Sequence, residues 1–459
     1  MRGMNRWLAA GLAAGLVLTA CSGSDDTSED GGSETADQAA DDGDEGGDSG
    51  DSGDGGSAEL TIALGSEPTT LDPQLREDGG ERAVSDNVYE TLMARTPEGD
   101  LVPGLAAEMP TQVDDVTWEF KLREGITFHN GEPFDADSVV HSLERITDED
   151  FASEQASFVS TFASAEAIDE STVHITTTGP DPLLPTRMYW TKMVPTEASE
   201  ADGFADEPVG TGPYRFVEWV KGDHVTLERN PDYWGDNASN VESVTYRFIS
   251  EPSTRLSALL ADEIDLMTNL LPEDVERAPK SASVQGVENP ILILNATGGV
   301  TEDVRVRQAM NYAVDKQALA NDLFEGYAVE AACQILSPQF TGYNDSLEPY
   351  PYDPERAQEL IAEAGAEGAT VEIIGTSGRW LKDRETVETV AAYLQEVGLQ
   401  AQPQIFEFDE YLNRLFGEVR PDSVYVTSSN ELFDADRQLS AYYQLDGVGD
   451  SNEDTELDG

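Results

Sequence analysis

Four histidines, His129, His141, His174 and His224, are the residues best suited to metal binding or acid–base work, and their spacing serves neither. No two of them fall in a His-Glu-x-x-His arrangement, which would set two imidazoles on one helix face to share a zinc ion. Gly375-Thr376-Ser377-Gly378 places a serine between glycines, without the spacing that lifts a nucleophile on a sharp strand-to-helix turn. Gly210-Thr211-Gly212 runs straight into Pro213 and Tyr214, and no lysine follows where a phosphate-cradling loop needs one. Carboxylate pairs carry no information in a chain with 91 Asp and Glu residues. No catalytic, cofactor or metal site is therefore expected. The chemistry that the spacing does support is modification of a thiol. Leu18-Thr19-Ala20-Cys21 puts a cysteine behind small residues at the end of an apolar run, the pattern of a bacterial lipobox, and Cys21 is expected to be the lipidated first residue of the mature protein. Cys333 then stands alone, so no intramolecular disulfide is available, and its Ala-Ala-Cys-Gln-Ile setting predicts a small buried apolar residue.

The segments around Cys21 fit that reading. Arg2 and Arg6 precede the mostly apolar Trp7–Val17, an export signal over residues 1–20 that is too short for a membrane span, which needs about 20 apolar residues. Residues 22–57 hold mainly Asp, Glu, Gly, Ser, Thr and Ala, with no Lys, Arg or aromatic residue. Such a stretch cannot bury enough apolar surface to offset the entropy of ordering, and predicts a disordered, self-repelling tether. The formal net charge of −64 excludes favourable contact with a nucleic-acid backbone. A length of 459 residues exceeds what one hydrophobic core usually supports, so two or more lobes are expected.

Folded sequence starts near Ala58, where Leu60, Ile62 and Leu64 alternate with smaller or polar neighbours. In Val116–Arg123 the alternation puts Val116, Trp118, Phe120 and Leu122 on one strand face. Asn130-Gly131 is a tight turn, and after Asp135 the residues Val139, Leu143 and Ile146 recur at helical spacing. Further strands are expected at Val173–Ile175, Tyr214–Trp219, Val225–Leu227 and Val244–Phe248. From Ile291 onward strands alternate with helices, the grammar of an α/β unit. Asp353 is an N-cap, Pro354 the first helical residue and Gly365 the stop, and strands at Val371–Ile374 and Val424–Val426 flank a helix that closes at Gly398.

Several longer stretches, in order, resemble one family. They are Glu67-Pro-Thr-Thr-Leu-Asp-Pro73, Val88-Tyr-Glu-Thr-Leu92, Pro103-Gly-Leu-Ala106, Phe128-His-Asn-Gly-Glu-Pro-Phe134, Val209-Gly-Thr-Gly-Pro-Tyr-Arg-Phe216, Arg229-Asn-Pro-Asp-Tyr-Trp234, Val306–Asp315 and Ala362-Glu-Ala-Gly365. Together they resemble the extracytoplasmic solute-binding proteins of ABC importers, family 5, which handle peptides and nickel chelates.

The resemblance implies an α/β, two-lobed periplasmic-binding-protein-like fold of type II with mixed sheets and an extra subdomain in lobe I. Lobe I would comprise residues 58–90 and 208–290, the extra subdomain 91–207, and lobe II 291–459. It further implies a monomer that captures a solute, delivers it to ABC permease subunits, and touches the membrane through its N-terminal lipid only. Oligopeptide is the leading solute class, with a metal chelate, opine or oligosaccharide as other members' cargo. The alternatives are a sensory co-receptor and a secreted hydrolase. In peptide-binding members an acidic residue shortly after a Trp pairs with the ligand's amino group. The corresponding stretch, Thr427–Asp434, lacks that Trp and offers Glu431 or Asp434, the latter reading equally as a helix cap. Arg379 and Trp380, in a strand-to-helix loop, are further candidates for the cleft, or else surface and packing residues, and Asp78 after the first strand is another. In the family a pattern like Asn452–Gly459 opens a helix followed by several dozen more residues, so lobe II is expected to be incomplete here.

Overall fold

The computed structural model describes residues 58–76, 79–235, 240–415, 420–428 and 432–442. The expectations placed on the export signal, Cys21, the tether, Asp78, Glu431 and Asn452–Gly459 lie outside these residues.

The chain opens with β1 (Ala58–Leu64), then α1 (Gly79–Val88) and a short hairpin, β2 (Met93–Arg95) and β3 (Leu101–Pro103). Next come β4 (Thr111–Gln112), β5 (Thr117–Lys121), α2 (Ala136–Thr147), β6 (Phe162–Asp169), β7 (Thr172–Thr177) and α3 (Leu184–Trp190). These strands form an antiparallel sheet in the order β4-β5-β7-β6. Phe120, Val173 and Ile175 from the sheet pack on Val139, Leu143 and Ile146 of α2, as the period-2 and helical spacings of those residues require. Asp135 caps α2 through a reciprocal box: Ser138 N donates to Asp135 Oδ1 (3.0 Å) and Asp135 N donates to Ser138 Oγ (3.1 Å).

The chain then returns to β1, building a sheet on it with β8 (Tyr214–Val220), β9 (His224–Arg229), β10 (Val241–Phe248) and β11 (Leu266–Met267), with α4 (Pro252–Leu260) before β11. The order is β11-β1-β10-β9-β8, with β1 parallel to β10 and β11 and the rest an antiparallel meander. Its core holds Leu64, Val84, Val88, Val225, Leu227 and Val244.

A third sheet uses β12 (Asn289–Leu294), β13 (Thr370–Thr376), β14 (Gln400–Phe406) and β15 (Ser423–Ser428) in the order β12-β15-β13-β14. Its helices are α5 (Val304–Ala313), α6 (Lys316–Ala318), α7 (Pro354–Ala364), α8 (Asp383–Glu396), α9 (Phe408–Leu415) and α10 (Ala435–Tyr442). One sheet face packs against Val306, Leu360, Val387 and Leu394, and the other against Tyr411, Leu415 and Trp380. Burial on both faces explains the nearly continuous apolar run of β13 and β15. Helix α7 is terminated as expected: Arg356 N donates to Asp353 Oδ1 (2.9 Å), Pro354 occupies the first turn, and Gly365 adopts φ 70°.

The recurring sequence stretches are knots in this scaffold. Glu90 accepts hydrogen bonds from Thr211 Oγ1 (2.8 Å), Tyr233 OH (2.9 Å) and Trp234 Nε1 (2.7 Å), joining three of the quoted motifs at one carboxylate. Burial raises its pKa above the ordinary glutamate value, and the three donors oppose that rise. Gly212 runs so close to α1 that an added Cβ would lie 2.6 Å from Asn87 O, so only glycine fits there. His129 spans the same passage. Its Nε2 donates to Gly212 O (3.0 Å), its Nδ1 accepts from Gly210 N (3.4 Å), and its backbone N donates to Gly210 O (2.9 Å). Asp72 and Arg145, 5% and 8% exposed in their side chains, form a buried pair, with Oδ1 3.2 Å from Nη1, which also donates to Gln74 Oε1 (3.0 Å).

One local expectation is corrected. Cys333 is exposed, in a left-handed conformation (φ 53°) within a loop, and is not a buried filler. Trp234 packs against the apolar core of α2 and its sheet, and the polar tips of Tyr233 and Trp234 complete the Glu90 site.

Candidate solute-binding cleft

The segment that follows β15 carries the acidic candidates, and residues 432–436 of it are described. Asp434 Oδ1 accepts from Asp436 N (2.9 Å), a turn that starts α10, so one carboxylate oxygen of Asp434 serves as a cap. Thr341 holds the segment by its backbone, donating from N to Phe433 O (3.0 Å) and accepting at O from Ala435 N (2.9 Å), while Phe340 meets the Phe433 ring edge-on at 5.5 Å.

Facing it are residues of the β2–β3 hairpin and of α3. Arg95 donates from Nη2 to Leu432 O (3.1 Å) and from Nη1 to Gly99 O (2.5 Å), and its guanidinium lies over Phe433 (4.4 Å) and Tyr189 (5.2 Å). Burial of this cation lowers its pKa from the ordinary arginine value, with Tyr189 opposing. Arg187 donates from Nε to Asp181 Oδ2 (2.8 Å), from Nη1 to Phe158 O (3.1 Å) and from Nη2 to Asp436 Oδ2 (3.2 Å). Arg82 stacks on Trp190 at 3.8 Å. Aromatic walls with a few directed charges are the composition of a small-molecule cleft.

The Arg379–Trp380 loop is built by a single buried carboxylate. Asp383, at the first turn of α8, accepts from Gly378 N (3.0 Å), Arg379 N (3.0 Å) and Trp380 N (3.1 Å). Trp380 is wedged among Phe408, Tyr411 and Tyr425 at 6.3, 6.1 and 6.0 Å, and so serves packing. Arg379 is exposed, its guanidinium over Trp380 (5.7 Å) and Phe408 (5.4 Å), and no ion pair to it is found among the described residues. Arg379 and Asp434 thus sit on separate loops at the ends of β13 and β15.

The sequence gives no sign of the contacts that Arg95, Arg187, Tyr189, Phe433 and Asp436 make here. Arg95 and Leu432 are 337 residues apart and Arg187 and Asp436 are 249 apart, so no local spacing could pair them. A separate cavity of about 800 Å³ lies against β12, α5 and the loop of Cys333, and none of its lining residues belongs to 377–380 or 432–436. Among the described residues no group of three or more His, Cys, Asp or Glu could hold a metal ion, and no helix is long and apolar enough to cross a membrane.

This arrangement has relatives. Residues 100–448 match the model of bacterial extracellular solute-binding proteins, family 5. The chain belongs to that family. The glutathione-binding protein GsiB of Escherichia coli is 30% identical over 353 residues, covering 75% of this chain and 69% of the relative. Among solved structures, the periplasmic binding protein DppA of Helicobacter pylori, in complex with the peptide STSA, superposes with a TM-score of 0.73 at 27% identity, covering 83% of this chain and 80% of that one. NikA of Brucella suis, in complex with Fe(III)-EDTA, gives 0.75 at 25% identity, covering 84% and 82%. The family 5 fold is two-lobed with mixed sheets, and two of the sheets described here, β11-β1-β10-β9-β8 and β12-β15-β13-β14, mix parallel and antiparallel pairs. Its members are binding components of ABC importers and not enzymes, and this family 5 chain is an extracytoplasmic solute receptor that works with an ABC permease.

Proposed function

We propose that the solute is an oligopeptide, held between the 432–436 segment and the Arg379 loop on one side and Arg95, Tyr189 and Arg82 on the other. A zwitterionic peptide needs an acid for its amino group and a cation for its carboxylate, and Glu431 or Asp434 takes the first role and Arg379 the second. The observation that carries this reading is that Arg379 is exposed at a strand end of the same sheet as the acidic segment, with no carboxylate paired to it among the described residues. The peptide bound by DppA and the glutathione bound by GsiB support it. Asp78, which precedes α1 in the sequence, is proposed for the same cleft.

The mature protein is assigned as a monomer anchored to the outer face of the membrane by lipid on Cys21, with residues 22–57 as its tether. Lobe I comprises residues 58–90 and 208–290, with 91–207 as its extra subdomain, and lobe II begins at 291. Thermal denaturation against panels of short peptides, nickel chelates, sugars and opines tests the solute class. A ligand at about 100 times its dissociation constant stabilises by about 2.7 kcal/mol. A shift confined to peptides is the expected result, and a shift confined to another class overturns the assignment.

A further inference from the structure

The arginine contacts of this fold are of two kinds, those inside lobe I and those that reach the 432–436 segment. The Arg145–Asp72 pair inside lobe I is buried on both sides, so opening it would strand a charge. The Arg187–Asp436 contact differs. Arg187 is already neutralised by Asp181, whose side chain is 5% exposed and which also accepts from Thr161 Oγ1 (2.5 Å) and Leu183 N (2.9 Å). Asp436, in contrast, has a side chain that is 42% exposed. Breaking that third bond leaves Arg187 paired and lets water solvate Asp436. Arg95 is similar: one nitrogen bonds its own hairpin at Gly99 O, and the other reaches across to Leu432 O. Both contacts can be made and broken without leaving a charge stranded.

We infer that Arg187 and Arg95 are positioning residues that clasp the 432–436 segment across the cleft and set how much of the solute-free protein is closed. The inference rests on the reading of this cleft as the solute site, yet it can be tested without any solute. Because apparent affinity scales with the fraction in the binding-competent form, the clasp tunes affinity through the closed population, in addition to any contact that Arg95 makes with the solute. A half-exposed ion pair is worth roughly a fivefold change in the ratio of open to closed forms.

The test is small-angle X-ray scattering of the full chain without solute, with thermal melts alongside. Asp436→Asn removes the charge while keeping the Asp181–Arg187 pair, Arg95→Lys removes the fork that reaches Leu432, and Asp436→Glu keeps the charge. The expected result is a larger radius of gyration for Asp436→Asn and Arg95→Lys at an unchanged melting temperature, with Asp436→Glu close to the parent. Unchanged scattering in both charge- and fork-removing variants overturns the inference. So does an Asp436→Asn chain that melts as low as Asp72→Ala, because that marks a structural role. Failure to bind peptides in the screen above leaves these scattering outcomes untouched, so the two readings fail separately.

Discussion

His129 provides a test of the scaffold that reads directly as a pH dependence. Burial pulls its pKa down from 6.5 to about 4, and the Gly212 carbonyl that accepts from its Nε2 opposes the shift. With Gly210 N donating to Nδ1, the neutral tautomer fills both of its ring contacts, and protonation would put a second donor against an N–H. In the unfolded chain the imidazole titrates normally. As pH falls below about 6.5 the unfolded state takes up a proton that the folded state refuses, so stability is lost on acidification until pH approaches about 4. At about 1.36 kcal/mol per pKa unit, the loss by pH 4 is about 3 kcal/mol. The assay is urea denaturation of the parent and of His129→Gln at pH 7, 5.5 and 4, the variant cancelling the titration of the many carboxylates. The parent's advantage should shrink by about 3 kcal/mol over that range. NMR of the four histidine Cε1 protons gives the site directly: His224, raised by its Asp223 and Glu218 partners, should be protonated where His129 is still neutral. A stability difference independent of pH, or a His129 resonance titrating near 6.5, would refute the reasoning.

Other expectations follow from the same geometry. Asp72→Ala leaves Arg145 buried without its carboxylate and should cost about 3–5 kcal/mol in chemical denaturation. Gly212→Ala drives a methyl group onto the Asn87 carbonyl and should cost about 1–3 kcal/mol, seen as a lower midpoint at an unchanged slope. Arg379→Ala, at an exposed loop position, should leave the melting temperature in place while weakening peptide affinity about tenfold, the scale of one charge-assisted hydrogen bond. Equal affinity in parent and variant would remove Arg379 from the site.

What could be read from the sequence was local. The alternation in Val116–Arg123, the cap and stop of α7 and the apolar runs of β13 and β15 each depend on residues a few positions apart, so pattern and propensity suffice. Strand β6 was not anticipated because its residues, apart from Phe162 and Ile168, are small or polar and it is largely exposed, with Ile168 turned to solvent, as an edge strand permits. The glycine and aromatic motifs stand out in the sequence, but their meeting at Glu90 depends on tertiary contacts between residues 90, 211, 233 and 234. The cleft was the least legible part, since Arg95 and Arg187 acquire their partners only when distant segments come together. Trp380 stood out by residue type, and the core claimed it.

The most direct measurement is a calorimetric titration of the solute-free protein with short peptides at two temperatures. A solute receptor predicts saturable one-to-one binding with a negative heat-capacity change, because closure buries apolar surface around the peptide. Absence of saturable binding to any peptide, in a protein that melts cooperatively, would contradict the assignment of oligopeptide as its solute.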